Sequence, residues 1–363
     1  MKSDTKTSFT PCFSAADWDR TRRDWTAWWH RETDRAMVVF DLNEEQRISF
    51  IPQFPGWDET SGEFPVDAVL NHYQHWFSRA NYYGDSFPRW WINFGAGVIA
   101  AFLGAGVQAD ENTVWFHPPE EMDWSLLSQP QDPDNFWWRW VRELTGAAVE
   151  RWGSEVSISM TDLGGNLDIL ASLRGTQDFL LDLAVSPQEV VEKVHQLTEK
   201  WWWYFQQLEK ITARGAPGST CWAPMWCPGS YYILQSDLSY MISPRMFEEY
   251  VLPDLKALCQ RLDYSFYHLD GKGQLNHLDM LLSLEDLDGV QWIPGAGSPE
   301  AEQWPQVLQR IRDAGKLCQV YVDPAGALKI VRELGPKALT IMVSPPPREA
   351  EIPAFLKLFH SYH

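Results

Sequence analysis

From about residue 155 onward, short apolar, β-branched runs alternate with helical stretches. That alternation, strands too apolar to be half-exposed, and a total of about eight strands predict an α/β protein. The expected form is a (β/α)8 TIM-type barrel with an N-terminal helical extension over 1–35 and an inserted segment near 105–150. One domain over 1–363 is expected, because no linker rich in Gly, Ser or Pro divides the chain. The main rival is an open doubly wound sheet. It would want a Gly-rich phosphate loop after its first strand, and MVVFDLNEEQR has no glycine.

Residues 37–42 and the region near 91–94 supply the first two strands. EVSISMT at 155–161 alternates like a strand, turns through Asp162-Leu163-Gly164-Gly165, and gives way to apolar helical periodicity as far as Leu183. Ser186-Pro187 is an N-cap with proline at the first helical position, opening a long helix to about Ile211. The next strand is read at 219–225, and Ser243-Pro244 repeats the capping pattern before a helix to about Leu262. The remaining strands are read at 265–269, 290–294, 317–322 and 339–343. The segment SQPQDPDN marks the insertion as rich in Pro and Asp.

Thirty basic residues against 49 acidic ones give a formal charge of −19. No Lys/Arg run offers a duplex-binding or anionic-membrane surface, so neither nucleic acid nor membrane is an expected partner. No apolar run approaches the roughly 20 residues needed to span a bilayer. The polar start, MKSDTKTSFTPCFS, lacks an apolar signal core, and five scattered cysteines show no CxxC or finger spacing. A reducing, cytoplasmic setting is expected. The 21 tryptophans build packing surfaces in most settings and stacking platforms in some.

In such barrels chemistry sits at the C-terminal ends of the strands. Those ends carry Asp41 and Asn43, Asn93, Asp162 with Asn166, Met225-Trp226-Cys227, His268 with Asp270, Gln291 and Trp292, Tyr321 and Asp323, and Ser344. Asp237 and Tyr240, in the connection before Ser243, are within reach of the same mouth. His268 and Asp270 are two apart on a strand end, so both face one way. They form a two-ligand start to a metal site, or a carboxylate-oriented imidazole. The alternative is that Asp270 caps the next helix while His268 donates to a backbone carbonyl. Asp162 and Asp323 are equally readable as turn and cap residues. The candidates for catalysis are therefore His268, Asp270, Asp162 and Asp237, and for substrate contact Asn93, Trp226, Trp292, Tyr321, Asp323 and Tyr240. His277 falls inside a helical pattern and is left out.

Two stretches carry a family resemblance: SDLSYMISPRMFEEYVLPDLKALCQRLDYSFYHLDG and TDLGGNLDILASLRGTQDFLLDLAVSPQEV. The first resembles the uroporphyrinogen decarboxylase superfamily, in which an ISPxxFxxFxxPxxK helix precedes a strand ending in a histidine motif. The second is similar to the same superfamily's LLDL…P-E-V block. The likeness is good over roughly 155–350 and loose over 1–100. It implies a (β/α)8 barrel, with either decarboxylation of porphyrinogens or cobamide-dependent methyl transfer to a thiol.

The decarboxylases carry an arginine-rich RQAGRY-type loop that has no counterpart here, and Asp237 stands where they have a serine. Their late histidine is also missing near 344–347. The methyltransferases hold zinc through His-x-Cys and a later cysteine. His268 matches their histidine, Asp270 replaces the first cysteine, and 343–346 replaces the region of the second. A metal held here would therefore sit in a harder, oxygen-rich site.

The resemblance implies methyl-group transfer with a small methylated compound or a corrinoid. A divalent metal such as zinc would be held by His268 and Asp270, with a corrinoid as methyl donor or acceptor. A small-molecule substrate, a corrinoid protein and a second copy of the chain are the partners it implies. The alternatives are a decarboxylase or other lyase or hydrolase acting on a tetrapyrrole, sugar or other organic substrate, and a non-catalytic binding protein.

Overall fold

The computed structural model describes residues 11–40, 50–110 and 113–362. Ten strands occur in chain order. They are β1 (Met37–Phe40), β2 (Arg89–Trp91), β3 (Gly106–Ala109), β4 (Val114–His117), β5 (Ser157–Ser159), β6 (Tyr231–Gln235), β7 (Tyr264–Asp270), β8 (Gly289–Ile293), β9 (Leu317–Val322) and β10 (Leu339–Val343). Six form one parallel sheet in the order β1-β10-β9-β8-β7-β6, and β2 and β5 form a separate parallel pair. Helices connect them, so the class is α/β with eight parallel strands in a barrel-like arrangement.

The expected closed barrel is not seen among the described residues. The hydrogen-bonded ladder is interrupted between β1 and β2 and between β5 and β6. At the second gap the irregular segment after residue 218 lies alongside β5, where Met160 N–H donates to the Thr220 carbonyl at 3.0 Å. That segment was read as the fourth barrel strand; the strand is β6, twelve residues later. CWAPM turns back on itself instead, with Ser219 and Cys227 forming an isolated antiparallel bridge. The five residues YYILQ, all buried, make the parallel pairing with β7.

The inserted segment is also smaller than expected. Gly106–Ala109 and Val114–His117 pair as antiparallel β3 and β4, whereas Phe136–Trp152 is the helix that crosses over into β5. Its buried Trp138, Trp140 and Trp152 pack as core, and Trp152 meets Trp90 edge-on at 5.0 Å.

The helix Ala15–Trp29 explains the aromatic N-terminus. Ser14 and Asp17 form a reciprocal capping box at its start. Its far end plugs the barrel floor: Trp28 Nε1 donates to the Leu339 carbonyl at 3.1 Å, and Trp29 Nε1 to the Trp226 carbonyl at 2.8 Å. Trp28 also stacks on Phe266, an inward residue at the start of β7. Burying a Trp while pairing its one N–H satisfies both halves of the side chain. With the floor closed, the opposite end, where the strands finish, is the mouth.

Strand register sets the level of each inward side chain. Gln235, His268, Gln291, Gln319 and Thr340 are successive partners across β6, β7, β8, β9 and β10. Partners in parallel register point to the same face. Barrel interiors are ordinarily layered with branched apolar side chains, so a layer of three amides, an imidazole and a hydroxyl departs from that pattern.

Candidate functional site

β7 is the longest of the ten strands and delivers His268 and Asp270 to the mouth. The two bland readings do not describe them. The turn Lys272–His277 begins after Gly271 with no side-chain cap, so Asp270 is not spent as a helix cap. His268 pairs through Nδ1 with the Gln291 side-chain oxygen rather than with a backbone carbonyl. Trp222 meets the His268 ring edge-on at 5.0 Å.

β6 ends at Gln235, and two residues later Asp237 begins a short 3-10 turn, Asp237–Met241. Because β6 lies next to β7, this places Asp237 beside the histidine. One ligand atom from each of Asp237, His268 and Asp270 lies within 4.8 Å of the other two. On a tetrahedral zinc with bonds of about 2.1 Å, ligand atoms stand roughly 3.4 Å apart. Holding one ion would require the side chains to rotate together by that difference.

The turn is pinned from behind by Asp168, on the helix Asn166–Arg174. Its two oxygens accept the backbone N–H groups of Asp237 at 2.9 Å and Leu238 at 2.7 Å. Asp162 follows β5, with one oxygen accepting from Gly164 N–H at 2.9 Å and facing the Tyr232 hydroxyl at 3.4 Å. Burial pushes its carboxyl up to about 7, and the charge of Asp237 adds to the shift. Burial also raises Asp168, again with a contribution from Asp237. Solvent reaches Asp237 at the mouth, yet the protein surrounding it raises its carboxyl; His268 acts against that rise and Asp270 with it. Among the main charges perturbing these three acids are one another, Asp270 and His268. Such a cluster either holds protons or holds a cation.

Beside the triad is a pocket of about 390 Å³ lined by Tyr240, Asp270, Gly271, Lys272 and the loop Pro294–Ser298. It is of small-molecule size. Gly271 and Gly273 leave room for the Tyr240 ring; a Cβ on Gly273 would fall 2.7 Å from Tyr240 Cδ2.

The other expected residues take the following places. Trp226 lies at the floor with its Nε1 on the Pro217 carbonyl at 3.0 Å, at the opposite end from the mouth. The reason is the misread strand: 219–225 does not carry Trp226 to a strand end. Trp292 alternates with inward Gln291, so its ring turns outward against Trp304 at 5.5 Å. Asp323 caps the helix Pro324–Leu334 by accepting from Gly326 N–H. Asn93 is buried and its side-chain oxygen accepts from Gly95 N–H at 3.0 Å. Tyr321 is half-buried, two residues beyond Gln319 and on the same face of β9. Asp41 and Asn43 lie outside the described residues. His277 is buried, stacked on Phe247 and bonded to the Ser239 carbonyl.

Sequence reasoning missed Asp168, Gln319, Trp222 and Lys272. An acid in a helix's first turn is ordinary, and only register reveals the inward glutamine.

No protein-family model matches the chain, and no curated protein sequence does. Among solved structures the chain is similar to a methyltransferase from Methanosarcina mazei, with a TM-score of 0.58 and 13% identity, over 94% of this chain and 98% of that one. At that identity the likeness shows the fold alone: an α/β chain of the same overall shape. Among the described residues, no helix is long and apolar enough to cross a membrane.

Proposed function

We propose that this chain is a metal-dependent methyltransferase-like enzyme acting on a small methylated compound. The observation that carries the reading is the convergence of Asp237, His268 and Asp270 at the mouth. Three protein ligands with room for a fourth is the pattern of a catalytic rather than a structural zinc site. One nitrogen and two carboxylate oxygens suit zinc or a somewhat harder divalent ion. The surrounding acids, whose charges raise one another, fit a resident positive charge. Methyl transfer as the reaction is supported by the fold shared with the Methanosarcina mazei methyltransferase and by the sequence resemblance over 155–350.

A bound divalent ion would supply a Lewis acid that lowers the pKa of a coordinated substrate group. The protein's own part is to position. Asp168 fixes the turn carrying Asp237, Gln291 fixes the His268 ring, and the pocket between Tyr240 and the Pro294–Ser298 loop holds the substrate. A corrinoid would come to the open mouth on a partner protein.

A lyase reading keeps one supporting observation: Asp162, with its carboxyl near 7, is a credible proton donor. The deciding assay mixes the zinc-loaded enzyme with methylated thiols, amines and phenols and a reduced, unmethylated corrinoid as methyl acceptor, following the corrinoid spectrum, alongside CO₂ release from carboxylated tetrapyrroles. Demethylation that requires His268 supports methyl transfer. CO₂ release without demethylation replaces it with the lyase.

A further inference from the structure

We propose that Gln291 and Gln319 form a buried amide relay that sets the tautomer of His268 and presents its Nε2 to the metal. Gln291 is thus a positioning residue for the site proposed above, and the inference rests on that reading only for its metal-binding arm.

The relay follows from register and burial. His268, Gln291 and Gln319 are direct partners on β7, β8 and β9, so their side chains stand side by side in the barrel interior. Both glutamines are fully buried. Gln291 uses its amide nitrogen to donate to the Gln319 side-chain oxygen at 2.6 Å. Its remaining group toward His268 is therefore the carbonyl oxygen, which only accepts. The partner of that oxygen is His268 Nδ1, so Nδ1 must carry the proton. A neutral imidazole with Nδ1–H has its lone pair on Nε2. The ring nitrogen away from the relay is then the one open to a cation shared with Asp237 and Asp270.

A buried hydrogen-bonded acceptor behind a ligating histidine is the ordinary means of fixing ring orientation, and losing one typically costs 10–100-fold in metal affinity. The usual acceptor is a carboxylate or a backbone carbonyl. An amide adds no negative charge to a cluster already crowded with acids.

The far end of the relay is open. Gln319 Nε2 and the Thr340 hydroxyl, on neighbouring strands at the same level, are both buried without a hydrogen-bond partner among the described residues. Replacing Gln291 by Glu would let the Gln319 amide turn over and donate to the new carboxylate. The relay would then survive with a stronger acceptor behind His268.

The test uses the full chain in two arms. In the first, ¹⁵N-resolved NMR of the histidine rings is recorded on metal-free wild type, Gln291→Leu and Gln291→Glu. The expected wild-type signal for His268 is Nδ1–H with an unprotonated Nε2, lost in Gln291→Leu and kept in Gln291→Glu. In the second, zinc is titrated calorimetrically: Gln291→Leu should weaken binding about 10–100-fold, and Gln291→Glu should equal or exceed wild type. An Nε2–H tautomer in wild type overturns the relay, as does unchanged zinc affinity in a folded Gln291→Leu. If wild type binds no zinc, the metal reading fails, while the NMR arm still decides the relay.

Discussion

Both carboxylate oxygens of Asp168 accept backbone N–H groups of the turn that begins at Asp237, at 2.9 and 2.7 Å. A helix after one strand thereby fixes a candidate ligand after the next. Asp168→Ala leaves two N–H groups of the turn without their acceptor, and the part-buried one at Leu238 should cost about 1–3 kcal/mol. The variant should unfold at lower urea concentration and bind zinc more weakly, although Asp168 is not itself a ligand. Urea denaturation and zinc titration, run on the same preparation, check both.

The pH dependence of stability has a definite sign at Asp162. Burial raises its folded-state pKa from 3.8 to about 7. The folded chain then keeps a proton that the unfolded chain has released. Stability from this group is fully present below about 3.8 and is lost as pH rises toward 7. Asp254, buried against Asn166 and Thr198, is raised to about 7 and acts in the same sense. In metal-free protein, Asp162→Asn should therefore gain on wild type as pH rises from 5 to 7. Chemical denaturation at four pH values measures the difference, and a mutant-minus-wild-type stability that falls as pH rises contradicts the assignment.

Gly273→Ala tests the pocket. The new Cβ would fall 2.7 Å from Tyr240 Cδ2, so the ring must move. Tyr240 is 51% exposed and can swing into solvent. Expected are a change in unfolding free energy of under about 1 kcal/mol and a rise in KM of about tenfold for the methylated substrate. Steady-state kinetics with thermal melting separates the two effects.

Trp28→Ala tests the floor plug. The side chain is fully buried, stacks on Phe266 and donates to the Leu339 carbonyl. Its removal should cost about 3–5 kcal/mol, measured by urea denaturation. Zinc affinity of the folded fraction should stay within about threefold of wild type, because the plug is at the opposite end from the triad.

The alternation of apolar strands and capped helices made the α/β class and most strands legible. The observed spans of β9 and β10 coincide with those expected at 317–322 and 339–343, and β7 and β8 are shifted by only a residue or two. The failure at β6 had a physical cause. Two apolar stretches, CWAPM and YYILQ, stand close together, and the strand expected at 219–225 covers the first, which contains a proline. With the strand misplaced, Asp237 is legible as an acid within reach of the mouth but not as the neighbour of His268. The spacing of His268 and Asp270 survives because it is local. Asp237 joins them only through the pairing of β6 with β7, and Gln291 and Gln319 join only through register, neither of which local sequence encodes.

The central claim is that Asp237, His268 and Asp270 together hold one divalent ion. Zinc stoichiometry and affinity should be measured on chelator-stripped protein for wild type and for Asp237→Ala, His268→Ala and Asp270→Ala, with circular dichroism confirming the fold. The expected result is one zinc per chain in wild type and a loss of at least about 100-fold in each variant. A wild type that binds no zinc, or an Asp237→Ala variant that binds it as well as wild type, would contradict the account.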